Sequence, residues 1–485
     1  MDSKVGKTEV VTNLVWRFLE RSGAQVIQLL VSIVLARLLA PSVYGTVALV
    51  VVIAQISQVF VDSGLANALI QKKEVDDLDY SSVFYFNVVW CLIIYGIIYL
   101  SAPIIAEFYN DISLIPVIRI LCLTVVISGV KNVQQAYVSR NMQFKKFFFA
   151  TLGGTILSAI VGIMLALMGK GVWALVAQKL VNLATDTLVL WFTVEWRPKL
   201  MFSFSRLKVL ISYGWKLLAS ALLDTVYGNL RQLVIGKLYS KSDLAYYNQG
   251  DQFPKLLVTN INSSIDSVLL PTMSKEQDNK ENVKIMTRRA IKISTFVMAP
   301  LMFGLFVTSK NVVSIVLSDK WIECVPFLQI FCVSYLFYPI HTSNLNAIKA
   351  MGRSDLFLKL EIIKKVVGLT LLVISMQYGV LAIGLSSLVG TGMNIIINSW
   401  PNKKILGYFY IDQLKDMLSS LVLAFIMAVI VYMVGKIHLA VLPLLILQVL
   451  VGGIVYVALS YLTKNESFFY LLSILKNIYI SRKRQ

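Results

Sequence analysis

Apolar stretches long enough to cross a bilayer recur from one end of this 485-residue chain to the other. Tyr80 to Ala102, Phe147 to Met168 and Met417 to Val434 are three of them. At a rise of about 1.5 Å per residue such helices approach or span a hydrocarbon core of ~30 Å. With 57% hydrophobic and 15% charged residues, the composition departs from the roughly 45–50% apolar and ~25% charged of soluble domains. The expectation is an all-α integral membrane protein with about 14 spans: 11–39, 43–66, 80–102, 113–138, 147–169, 172–194, 209–237, 246–272, 290–309, 324–349, 356–377, 379–400, 417–435 and 438–462. The first stretch is long and carries Arg17, Glu20 and Arg21, so it reads as a mature transmembrane helix and not as a cleaved signal.

A net charge of +19 would suit a polyanionic partner, but its placement follows topology. With the N-terminus inside, cytoplasmic segments collect Lys72, Lys73, Arg140, Lys145, Lys146, Arg197, Lys199, Arg206 and Lys208. The dense run Lys275 to Lys292, Lys403, Lys404 and the basic tail add to them. The outer loops hold only Arg37, Lys170, Lys237, Lys241, Lys310, Lys320 and Lys436, about one each. This is the bias that places both termini of a multi-pass membrane protein in the cytoplasm, and it leaves little charge for nucleic acid.

At an offset of 200 residues, Leu35 to Ser42 lines up with Ile235 to Ser242, and Asp62-Ser63 with Asn262-Ser263. Six spans separate the matching helices, so two halves of like orientation are expected, related by an axis along the membrane normal, with the substrate path between them. The division is 1–194 for the first six helices, 195–208 for a cytoplasmic linker, 209–400 for the second six, and 401–485 for two C-terminal helices and the tail.

Polar stripes mark three helices. The first carries Arg17, Glu20, Arg21, Gln25 and Gln28, the seventh Ser212, Lys216, Ser220, Asp224, Tyr227 and Arg231, and the eighth Asn248, Gln252, Lys255, Thr259, Asn262 and Asp266. Steps of three or four residues keep each set near one face. Against lipid each central charge would cost roughly 2.5–3.5 kcal/mol, so these faces should meet protein or a wet cavity. The plainer reading is structural pairing, Arg17 with Glu20 and Lys216 with Asp224. Arg21, Arg231 and Lys255 lack an evident carboxylate, and an excess of cations suits an anionic substrate, since arginine forks onto phosphate oxygens. Asp62 and Asp266 are candidates for coupling to H+ or Na+. Lys131 with Gln134 and Gln135, and Lys179 with Asn182 and Asp186, read as internal pairing or interface snorkelling, and His341 as a core residue.

No nucleotide-binding loop, paired-carboxylate array or nucleophile triad is evident, so no catalytic residues are assigned and no enzyme activity is expected. Cys91, Cys122, Cys324 and Cys332 are scattered and only His341 and His438 accompany them, so neither a disulfide framework nor a metal site is expected.

The runs Arg21 to Gln28 and Leu35 to Gly45, together with Phe60 to Gln71, Trp173 to Gln178 and Ser220 to Tyr227, resemble bacterial Wzx-type oligosaccharide flippases of the polysaccharide transporter family, in the lipopolysaccharide, colanic-acid or teichuronic-acid exporter branch. The resemblance implies the fold of MATE exporters and lipid II flippases: two six-helix lobes and two C-terminal helices. It implies a substrate of undecaprenyl pyrophosphate bearing an oligosaccharide, flipped to the periplasmic leaflet without a cofactor, with polysaccharide polymerase and chain-length machinery as further partners beside membrane lipids. Arg17 and Arg21 would then contact the pyrophosphate, by analogy with first-helix arginines of lipid II flippases. Two other readings stay open: a cation-coupled small-molecule exporter of the MATE kind, and a non-transporting scaffold or transferase subunit of envelope assembly.

Overall fold

The computed structural model describes the backbone of residues 7–62 and 64–483, and the side chains of 23–62, 64–212, 214–474 and 476. Among these residues the chain forms helices and no strand. It divides into two compact units, Met1–Ala245 and Tyr246–Gln485.

The first unit holds α1 (Lys7–Leu38), α2 (Pro41–Asp62), α3 (Leu65–Gln71), α4 (Asp77–Phe108), α5 (Leu114–Leu121), α6 (Leu123–Arg140), α7 (Phe144–Leu167), α8 (Val172–Thr193) and α9 (Phe204–Leu238). The second holds most of α10 (Lys241–Lys275), then α11 (Lys280–Val316), the 3-10 turn Asp319–Cys324, α12 (Val325–Leu336), α13 (Tyr338–Ala350) and α14 (Ser354–Ser375). It closes with α15 (Val380–Ile405), α16 (Tyr410–Val434), α17 (Val441–Leu462) and α18 (Glu466–Lys483).

Every expected span falls on one of these helices or on a broken pair: α2 with α3, α5 with α6, and α12 with α13. By length and composition nine are apolar enough to cross a membrane among the described residues, and α9, bent by 47° between Phe204–Ser212 and Gly214–Leu238, makes a tenth. The difference from fourteen has a physical cause. Of α1 only Gly23–Leu38 has described side chains; among the other three, α8 carries Lys179 and Asp186, α10 its polar stripe, and α14 Lys359, Glu361, Lys364 and Lys365. Those three fall short because they hold charges in mid-span.

Lipid gives helices no hydrophobic reason to associate, so close packing through small residues does the work. On α7, Gly154, Ser158, Gly162 and Ala166 are buried at four-residue steps. A Cβ on Gly154 would lie 2.7 Å from the Asn182 carbonyl oxygen of α8, and one on Gly162 3.1 Å from Gln178. Leu69, Tyr80, Val83, Phe147, Leu190, Trp196 and Leu207 share one buried cluster.

That cluster includes Trp196 of the expected linker, and 195–203 is stitched to the start of α4. The Trp196 Nε1 donates to Asp77 at 3.2 Å, the Lys199 and Ser203 amides donate to the Ser81 and Ser82 hydroxyls, and Lys199 and Arg206 pair with Asp77 and Asp76 at 2.5 and 2.6 Å. The α9 helix itself packs on α2, α3 and α4. By contacts the chain clusters into units that meet at 245/246, with α9 and its approach in the first.

Candidate functional site

On α9 the stripe recurs at three- and four-residue steps, which keep it on one side of the helix. Lys216, Ser220 and Asp224 are exposed, while Tyr227 and Arg231 are half-buried. Lys216 does not pair with Asp224, two turns and ~12 Å of rise away; Asp224 and Tyr227 have interactions of their own. The Nε of Arg231 is buried and has no hydrogen-bond acceptor among the described residues. A guanidinium donor in that position remains available to an oxyanion. Gln28 of α1 is exposed; the side chains of Arg17, Glu20 and Arg21 lie outside the described residues.

Two close contacts set the course of α9. Gly64, between α2 and α3, has φ +72°, and a Cβ there would sit 2.7 Å from the Gly214 Cα at the bend of α9. Near the other end, a Cβ on Gly45 would fall 1.8 Å from the Lys241 carbonyl oxygen. Asp62 ends α2 beside the first of these contacts, exposed, and accepts from Gln58 Nε2 at 3.4 Å.

Deeper in the unit, Lys131 of α6 pairs with Asp186 of α8, and both are buried. The expectation of internal pairing named residues along one helix in each case; the structure joins the two helices instead. Asn132 donates to the Val61 carbonyl at 2.9 Å, so α6 also ties down the end of α2.

In the second unit the α10 stripe is tied to its neighbours. Lys255, which has no evident carboxylate in the stripe pattern, pairs with Asp251 one turn away at 3.3 Å. Asp251 also accepts from the Tyr335 hydroxyl of α12 at 2.6 Å. Asp266 is half-buried and accepts from Asn262 at 3.3 Å and from Asn346 of α13 at 2.5 Å. Asn262 and Asp266 are thus brought together, while Asp62 and Asp266 lie in different units.

Several polar residues that the three-stripe reading passed over line the same unit. Tyr335, Tyr338 and His341 follow one another along α12 and α13, with ring centroids 5.9 and 6.3 Å apart. The His341 Nδ1 lies 3.1 Å from the Asn398 amide nitrogen of α15, and Glu361 pairs with Lys364 on α14 at 2.5 Å. The available signal was the α14 charges, a lysine–glutamate group within an apolar stretch. The tyrosines and Asn346 carried none, because their partners are remote in sequence. Amide, hydroxyl and carboxylate groups with aromatic faces can hold sugar hydroxyls and ring faces, and free cations can hold phosphate. Among the described residues no group of three or more His, Cys, Asp or Glu could hold a metal ion.

A model of the family described as "Polysaccharide biosynthesis protein" matches residues 34–326, which covers α9 and α10 whole. The chain belongs to that family. It is 25% identical over 386 residues to the lipopolysaccharide biosynthesis protein WzxC of Escherichia coli K12, covering 78% of this chain and 77% of the relative. It is 23% identical over 334 residues to the succinoglycan biosynthesis transport protein ExoT of Rhizobium meliloti, covering 69% and 68%. The solved structure of the lipid II flippase MurJ in an inward closed conformation superposes with a TM-score of 0.74 at 18% identity, over 96% of this chain and all of that one. The all-helical fold of lipid II flippases expected from the resemblance is therefore the fold observed, and the chain is a multi-pass membrane protein. The family match includes Asp62, Lys216, Asp224, Arg231, Lys255, Asn262 and Asp266 but not Arg17 or Arg21.

Proposed function

We propose that this chain is a flippase that carries an undecaprenyl-pyrophosphate-linked oligosaccharide from the cytoplasmic to the periplasmic leaflet of a bacterial inner membrane, by alternating access. One observation carries the reading: α9 is a membrane helix whose Lys216 is exposed and whose Arg231 keeps a buried donor without an acceptor. Cations left open on such a helix are costly unless water or an anion meets them. A pyrophosphate supplies that anion, and arginine grips it through two hydrogen bonds. Membership of a polysaccharide-biosynthesis family and the name of ExoT support a glycan cargo and its transport.

In this reading Lys216 and Arg231, with Arg17 and Arg21, face the pyrophosphate. Gln28, Asn262 and the other amides face sugar hydroxyls, and the carboxylates Asp62 and Asp266 are the places for H+ or Na+ coupling. Both termini are cytoplasmic, on the distribution of lysine and arginine. A polysaccharide polymerase and chain-length machinery would receive the exported unit.

The test is reconstitution of the chain alone in sealed liposomes loaded on the inner leaflet with labelled undecaprenyl-pyrophosphate oligosaccharide. Arrival of the label in the outer leaflet, faster than in protein-free vesicles, is the expected result. No movement under proton, sodium or substrate gradients overturns it; export of small cationic drugs in the same vesicles would favour an exporter, and modification of the glycan in detergent a transferase.

A further inference from the structure

We propose that the groove between α11 and α18 binds the headgroup of an anionic phospholipid. The groove encloses about 430 Å³, within the roughly 300–1,000 Å³ typical of small-ligand sites. Its α11 wall presents Ile285, Arg288, Arg289 and Lys292, and its α18 wall Glu466 and Tyr470. The four α11 residues recur at three- and four-residue steps, so the isoleucine and the cations share one face.

The charges do not cancel. Arg288 forks onto Asp416 at 2.7 and 2.8 Å, and Lys292 pairs with Glu466 at 2.7 Å and lies 3.6 Å from Asp416. Arg289 packs over the Tyr470 ring at 5.0 Å and has no carboxylate partner among the described residues. Three cations against two carboxylates leave one positive charge at the mouth of the groove.

A lipid fits this lining better than a soluble anion does. Ile285 is 47% exposed beside the cations, and on α18 Phe469 and Leu472 are 39% and 48% exposed. Apolar residues turned outward next to a charged rim are the marks of a helix lying in the membrane interface. Basic pockets beside spanning helices on the cytoplasmic side are where acidic headgroups bind, and Lys275 to Lys292 is a dense basic run of the chain.

The experiment is lipid titration of the delipidated full-length protein in detergent, read by native mass spectrometry, with phosphatidylglycerol and phosphatidylcholine of the same acyl chains. The first phosphatidylglycerol should bind more tightly than phosphatidylcholine. Arg289→Ala should weaken it about fivefold, from the ~1 kcal/mol that one basic residue contributes near an anionic surface. Lys73→Ala, on the first unit, should leave it unchanged. Glu466→Gln should tighten it, whereas loss of a merely structural ion pair would leave it unchanged or weaken it, so the two variants separate lipid binding from misfolding. Equal affinity for the two lipids, or no effect of Arg289→Ala, overturns the proposal. So does displacement of phosphatidylglycerol by millimolar inorganic phosphate, which would assign the groove to a soluble anion.

Discussion

Among the individual residues, the pair Lys131 and Asp186 shows how a charged position in an apolar helix is resolved structurally. Removing one partner of a buried ion pair strands the other, at a cost of about 3–5 kcal/mol. Asp186→Ala alone should therefore lower the thermal midpoint in detergent strongly, and Lys131→Met with Asp186→Leu should recover most of the loss. Equal loss in the double variant would contradict a pairing role. Outside the spans, Asp111 between α4 and α5 pairs with Lys241 and accepts from the Ser113 hydroxyl at 2.6 Å. Burial raises its pKa, but the hydrogen bonds from Lys241 and Ser113 outweigh this and hold it below the usual carboxylate value. A depressed folded-state pKa contributes stability above the unfolded pKa of ~3.9 and loses it as pH falls through the folded value. Melting curves from pH 7 downward should show the parent losing this increment in acid, and Asp111→Asn starting lower with a flatter profile; parallel profiles would refute the assignment.

For the helices, spacing alone made the α9 and α10 stripes legible, because three- and four-residue steps hold their direction along a helix whatever surrounds it. What spacing cannot reveal is the partner. Tyr335 and Asn346 hold Asp251 and Asp266 from helices some 80 residues downstream, and Asp251 reads from sequence as just another polar residue near Lys255. The α14 charges Lys359, Glu361, Lys364 and Lys365 were visible, but they are confined to one short stretch and make no stripe along the helix. The bend of α9 was hidden for a different reason: it depends on Gly64 meeting Gly214, which no local pattern announces. Gly64→Ala combines positive φ with a backbone contact of 2.7 Å, so it should cost about 1–3 kcal/mol and slow transport. Gly153→Ala, with open space around its Cβ in α7, should be neutral or gain up to ~1 kcal/mol. Similar melting shifts for both would remove the contact as the cause.

The whole molecule was legible as a class from its recurrent apolar stretches and as a family from several short segments, whereas the two-unit division by contacts was not, since the stitching of 195–203 to α4 is a tertiary fact. Orientation can be read directly. The four native cysteines are buried, so single exposed replacements report against a quiet background. Lys436→Cys and Lys170→Cys should react with a membrane-impermeant maleimide in intact cells, and Lys73→Cys only after permeabilisation; the reverse would invert the topology.

In the proposed function the open cations of α9 carry the pyrophosphate. The most direct measurement is the initial rate of outer-leaflet arrival of undecaprenyl-pyrophosphate oligosaccharide in proteoliposomes, for the parent, Lys216→Ala with Arg231→Ala, and Arg231→Lys, at matched insertion. The double variant should lose at least tenfold, equivalent to about 1.4 kcal/mol, and Arg231→Lys, which keeps the charge but not the fork, should run at an intermediate rate. Equal rates in all three proteins would contradict it.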